Sequence, residues 1–409
     1  MGCGLRQVRF HEDGLLTTIG RQAFCECASL TEASIPSTVE VIKSMAFQWC
    51  GLLARVSLQE GLKIIEMGAF LDCGFETVAI PRSLEVLGGI AFHLCCLLQE
   101  VKFEECNLSV IGKHAFMECF QLHTISFPST VERLESGTFK LCHSLRVIKF
   151  QNGLKYVADE TFYSCKNLQS VALPESVELI GLNAFAKCPK LVSVEFRDAS
   201  RAVTIHNDAF AECVSLTNIC LPSESRLSAG RPDDHGERIN SFRGCTALED
   251  QYGDTNTSLA LMHRFDDLPI HKKCYHASVT TADELAREIE SSVQSSQDST
   301  LDHLVVDPFG MTPFHVLLSA ANCRLDLLQI LLDAYPPHVL GWKDVNGKTA
   351  IEYCWQQSCN LTEDFRPILQ AALERWMVDS ISSWKGLEAW KSDMSSRVNA
   401  IVAEDEVEQ

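Results

Sequence analysis

The stretch Ile180-Gly181-Leu182-Asn183-Ala184-Phe185-Ala186-Lys187-Cys188 decides the fold, because its Phe-x-x-Cys ending occurs ten times along the chain. The phenylalanines are Phe24, Phe47, Phe70, Phe92, Phe116, Phe139, Phe162, Phe185, Phe210 and Phe242; they follow one another every 22 to 25 residues, except for a last interval of 32. A fixed period in the twenties marks a solenoid. Five residues before the Phe stands an aliphatic residue such as Ile42, Ile65 or Ile180, and eight before it another such as Val39, Leu62 or Val177. After the Cys, segments such as Leu53, Val56 and Leu58 alternate with period two and read as short strands. One unit cannot bury its apolar face alone, whereas stacked units pack each Phe and Ile on its equivalents above and below. Parallel strands about 4.8 Å apart then build a rod of roughly 50 Å. The repeat Cys reads as a small apolar residue in a tight turn.

The segments Ile35-Pro36-Ser37-Thr38-Val39, Leu173-Pro174-Glu175-Ser176-Val177 and Ile180 to Phe185 resemble the BspA-like class of leucine-rich repeats, over residues 1–249. The resemblance implies a leucine-rich-repeat solenoid with a parallel β-sheet face and rungs of about 23 residues. Prolines fall in alternate rungs, at Pro36, Pro81, Pro128, Pro174 and Pro222, so the full period is two rungs. The polar insertion Ser223–Asn240 reads as a surface loop. Cys3-Gly4-Leu5 through Phe10 reads as the second half of a repeat, so the chain begins inside a rung with no cap. Solenoids need polar caps. Truncation relative to a longer protein is the favoured reading; the other is an end-to-end contact of a partner on the uncapped N-terminal rung.

From residue 250 the 23-residue period gives way to helical spacing. Thr281-Ala282-Asp283-Glu284 is a capping box. Asp307-Pro308-Phe309-Gly310-Met311-Thr312-Pro313-Phe314-His315 resembles the ankyrin opening, and Asp344 to Ala350 repeats its turn 37 residues later, with Leu268-Pro269-Ile270-His271 as an earlier echo. Residues 250–360 therefore read as an α-helical ankyrin-like domain, and 361–409 as C-terminal capping helices with an acidic tail. The whole is an α+β repeat protein.

Composition removes several function classes. The chain has 409 residues, 35 Lys+Arg against 54 Asp+Glu, and a formal charge of −19, which argues against nucleic acid as a partner. Residues 251–409 carry 12 basic and 24 acidic groups, so the helical half is the more acidic. No stretch approaches the roughly 18 apolar residues of a membrane span. There is no phosphate-binding glycine loop, no H-E-x-x-H and no G-x-S-x-G. His271-x-x-Cys274-x-His276 has liganding residue types but falls on a helix, where packing is the expected role, so neither metal nor cofactor is expected. Most of the 19 cysteines are repeat residues, expected as free thiols; that fits a reducing compartment and a cytoplasmic or nuclear location. Met1-Gly2-Cys3 lacks the Ser or Thr that lipidation wants at position 6, where Arg6 stands.

The strands offer a candidate protein-binding face. Outward positions form one column containing Glu32, Arg55, Glu100, Thr124, Ser170 and Asn218, and a second containing Lys102, Lys149 and Glu195, with Arg146 beside them. These are mostly small or polar. The reading that follows is a non-enzymatic scaffold that binds other proteins on extended repeat surfaces. The second reading is an extracellular or cell-surface adhesion protein of the BspA-like type, and the third an enzyme with its site in residues 251–409.

Overall fold

The computed structural model describes residues 4–10, 15–197, 202–222, 225–227, 241–252, most of 264–356, and 367–368 with 371–372. Cys3, most of the Ser223–Asn240 insertion and nearly all of the expected C-terminal helices lie outside the described residues.

The repeat folds as a solenoid with two parallel ladders. The face ladder runs from Gln7–Arg9 through Glu32–Ile35, Arg55–Leu58, Thr77–Ile80, Glu100–Phe103, Thr124–Ser126, Val147–Lys149, Ser170–Leu173 and Ser193–Phe196 to Asn218–Ile219, with pairing interrupted after Leu58 and after Lys149. Its register repeats the sequence period: Thr77 pairs with Glu100, Thr124 with Val147, and Ser170 with Ser193. Ten two-residue strands, from Thr18–Ile19 to Arg226–Leu227, make the second ladder, and the first nine each place one aliphatic residue such as Ile42, Ile65 or Ile180 inward.

Between the ladders the phenylalanines form a continuous stack. All nine neighbouring pairs from Phe24 to Phe242 have ring centroids 5.0 to 5.4 Å apart and lie within 14° of parallel. Phe210 and Phe242 stack at 5.4 Å despite the 32 residues between them, so the insertion adds no rung.

The tight turn around each Phe is held by backbone bonds between rungs. The N–H of Phe47 donates to Ala69 O at 2.8 Å and that of Trp49 to Leu71 O at 2.8 Å. The residues two before and two after each Phe from Phe24 to Phe210 take positive φ, with Glu160 (φ 56°) and Ser164 (φ 61°) flanking Phe162. Side chains there are strained by roughly 1 kcal/mol or more; Gly68 and Gly137 relieve the same position in their rungs.

Beyond the last repeat Cys, Cys245, α1 spans Thr246–Tyr252. The helical unit follows, with α2 (Pro269–Tyr275), α3 (Ala282–Ser295), α4 (Pro313–Ser319), α5 (Leu325–Ala334) and α6 (Ala350–Gln356). Helices α2, α4 and α6 pack side by side in one layer, and α3 and α5 form a second layer behind them. The two turns expected to be equivalent are so in detail. Asp307 Oδ1 accepts from Met311 N at 2.9 Å, and Asp344 Oδ1 from Lys348 N at 2.9 Å. Thr312 caps α4 in a box with His315, Thr349 caps α6 with Glu352, and Thr281 caps α3 with Glu284. Histidines tie one helix pair to the next: His271 Nε2 lies 3.0 Å from Met311 O, and His315 Nε2 lies 3.2 Å from Lys348 O.

Candidate protein-binding face

Strand alternation puts Val, Ile and Ala inward and sends the flanking side chains out, so the face is built by every rung at the same two positions. Along the first rungs these positions are open. In the first column Arg55, Thr77 and Thr124 are exposed, Glu32 and Glu100 half-buried and Val147 buried; in the second, Ser34, Ser57, Lys102, Ser126 and Lys149 are all exposed. Arg146, at the edge of the face, is exposed too. Charges pair along this surface: Arg55 Nη2 is 3.2 Å from Glu32 Oε2, and Lys102 Nζ is 3.1 Å from Glu100 Oε2.

From the strand Ser170–Leu173 onward the same columns are buried. Ser170 is 5% exposed, Ser193 1%, Glu195 0% and Asn218 0%. The sequence reading puts Ser170, Glu195 and Asn218 on an open surface, and this is corrected: all three are buried, and the helical unit sits on the last two rungs. Asn218 Nδ2 donates to Ser319 Oγ at 2.8 Å and to Val316 O at 3.2 Å on α4. Burying a side-chain amide without partners would cost a few kcal/mol, so these bonds fix where α4 sits.

Two further side chains hold the unit, and the sequence did not single out either. The hydroxyl of Tyr275, on α2, accepts from Phe196 N at 3.3 Å and Cys220 N at 3.2 Å, and donates to Val194 O. It stands where the last two face strands cease to pair with each other. Burial pushes its ionisation well above the ordinary phenol range, so it remains a neutral donor. Arg264 is fully buried, donates to Thr217 O and Ile219 O, and forms an ion pair with Asp307. Its guanidinium lies 4.7 Å from the ring centre of Phe265 and 4.6 Å from that of Phe309. One cation thus joins the last rung's backbone to the turn that opens α4. A faint signal existed in the sequence: after Lys149 the two columns carry one charged residue, Glu195, among Ser170, Ala172, Ser193, Asn218 and Cys220.

The repeat cysteines do more than fill space. Each Sγ from Cys50 to Cys245 donates to the carbonyl of the Phe one rung earlier, as Cys119 does to Phe92 O at 3.2 Å and Cys213 to Phe185 O at 3.1 Å. Burial pushes Cys50 up to about 11 and Cys95 to about 12, which keeps the thiols protonated and unreactive. Sixteen described cysteines are free, whereas Cys27 is disulfide-bonded, an exception to the expected all-thiol repeat. His271 and Cys274 are buried on α2, with His271 bonded to a carbonyl. Among the described residues no group of three or more His, Cys, Asp or Glu could hold a metal ion, and no helix is long and apolar enough to cross a membrane.

The family described as BspA type leucine rich repeat region matches in six copies over residues 17–146 and 134–229. Among curated proteins, none matches. Solved structures similar to the chain include a leucine-rich repeat protein from Bacteroides ovatus, at 23% identity over 56% of this chain and 80% of that one, with a TM-score of 0.23. The pneumococcal vaccine antigen PcpA shares 23% identity over 52% of this chain and 64% of its own, with a TM-score of 0.37. A leucine rich cell surface protein from Faecalibacterium prausnitzii shares 21% over 58% and 76%, with a TM-score of 0.32. The expected cytoplasmic or nuclear location is corrected by the family match, since BspA-type proteins are typically surface or extracellular bacterial proteins. The expectation had rested on free thiols, and thiols this deeply buried are inert whatever the compartment.

Proposed function

The chain belongs to the BspA-type leucine-rich-repeat family, and from that premise we propose that it is a non-enzymatic scaffold that binds another protein on the open part of its strand face. The observation that carries the reading is the division of the face between Lys149 and Ser170. On the last two rungs the columns already hold a protein surface, the helices α2 and α4, through an amide, a phenol and small side chains. The same columns continue with exposed or half-buried side chains, Val147 apart, over the six earlier rungs from Glu32–Ile35 to Val147–Lys149, a surface roughly 25 Å long at about 4.8 Å per strand. Fold analogy supplies the rest of the warrant.

The test places bulk on the open columns. Ser57→Trp and Ser126→Trp project into solvent, so both variants should fold as the parent does. Partners crosslinked to the native chain should map to strands between Glu32 and Lys149 and be lost in these variants. Crosslinks confined to the opposite ladder, unaffected by either substitution, would sink the proposal.

A further inference from the structure

We infer that the last open rung of the face recognises an acidic segment of the partner protein, through Arg146 and Lys149. The inference rests on the reading of the face as a protein-binding surface and adds the chemistry of what it binds. Cations elsewhere on the open face are already matched: Arg55 by Glu32 and Lys102 by Glu100. Arg146 and Lys149 are exposed and form no ion pair among the described residues. Lys149 ends the strand Val147–Lys149 and Arg146 immediately precedes it, three residues away, so their backbones are at most about 10 Å apart at 3.3 Å per residue. Between and beside them the floor is small and uncharged, with Val147 buried and Thr124 and Ser126 as the register partners of Val147 and Lys149.

The site also sits at a boundary. The next rung, Ser170–Leu173, is buried, so a segment lying across Arg146 and Lys149 would abut a part of the face that is already covered. In a chain of net charge −19, two unmatched cations side by side are a local reversal of sign. Such a reversal attracts carboxylates and repels further cations, and it acts within about 8 Å at physiological salt. An acidic, extended segment with carboxylates about 10 Å apart meets both cations at once.

The experiment is selection of a random peptide display library on the full chain, repeated on R146E/K149E and on K113E, an exposed control away from the face. The expected result is enrichment of Asp- and Glu-containing peptides. Their affinity should fall at least about tenfold in the double variant, stay unchanged in K113E, and weaken with added salt. Thermal unfolding of the double variant should match the parent. Enrichment of neutral or basic peptides that Ser126→Trp displaces would overturn the acidic partner while leaving the binding face intact. A library that yields no peptide sensitive to Ser126→Trp would overturn both.

Discussion

The hydroxyl of Tyr275 lies 3.2 Å from the backbone nitrogen of Cys220, and this contact joins the helical unit to the last rung of the face. Tyr275→Phe keeps the ring and deletes the oxygen, which leaves the amides of Phe196 and Cys220 buried without a partner. The expected loss is about 1–3 kcal/mol. Hydrogen exchange should show faster opening of the amides at 196 and 220, with the amides of Phe92 and Phe116 unchanged. Unchanged protection at 196 and 220 would mean that the hydroxyl is not what holds them.

Arg264 and Asp307 form the second joint. Removing one member of a buried ion pair leaves the other charged and desolvated, at a cost of about 3–5 kcal/mol. Asp307→Asn also weakens the turn, since Asp307 Oδ1 accepts from both Phe309 N and Met311 N at 2.9 Å. Both Arg264→Met and Asp307→Asn should undock or unfold the helical unit while the solenoid persists. Limited proteolysis should then cleave residues 264–356 first. Simultaneous loss of both parts at one denaturant midpoint would show that the chain unfolds as a single unit.

The solenoid was legible because every rung repeats one packing problem, so Phe70 and Phe185 announce the same neighbours in the same order. The docking was not. Tyr275 reaches Phe196 across 79 residues and Asn218 reaches Val316 across 98, and no local spacing encodes a contact between two different repeat types. The left-handed turns were also hidden. Trp49, Leu94 and Leu141 adopt positive φ with no glycine to mark it, because the rung-to-rung bond from Trp49 N to Leu71 O and its equivalents over-determine the backbone. Capping boxes at Thr281, Thr312 and Thr349 could be read directly, since both partners lie within three residues.

His271 gives the helical unit a pH dependence. Burial lowers its pKa to about 4 from the usual value near 6.5. The unfolded chain therefore binds a proton that the folded chain refuses, and stability falls as pH drops from about 6.5 to about 4. The neighbouring Asp307, Arg264 and His315 act on the same ring: Asp307 raises its pKa, while Arg264 and His315 lower it. The whole effect is on the order of a few kcal/mol. Denaturation of the wild type at pH 7 and pH 5 should differ by more than that of His271→Gln. Equal pH slopes for the two proteins would refute the assignment.

The Sγ of Cys142 donates to the carbonyl of Phe116 at 3.2 Å, and burial holds the thiol well above its ordinary pKa. Two consequences can be measured. Thiol labelling of the native protein should modify the half-buried Cys25 and Cys96 first and spare Cys73, Cys119, Cys142 and Cys165 until the solenoid unfolds. Cys142→Ala removes a weak donor and leaves a small void in the Phe stack, at a cost of about 1–2 kcal/mol. Phe116 O keeps one partner, the N–H of Cys119 at 3.3 Å, which is why the loss stays modest. Because the same bond recurs from rung to rung, Cys95→Ala combined with Cys142→Ala, two rungs apart, should destabilise by nearly the sum of the single effects. A double variant much less stable than that sum would show that the thiol ladder is cooperative along the rod.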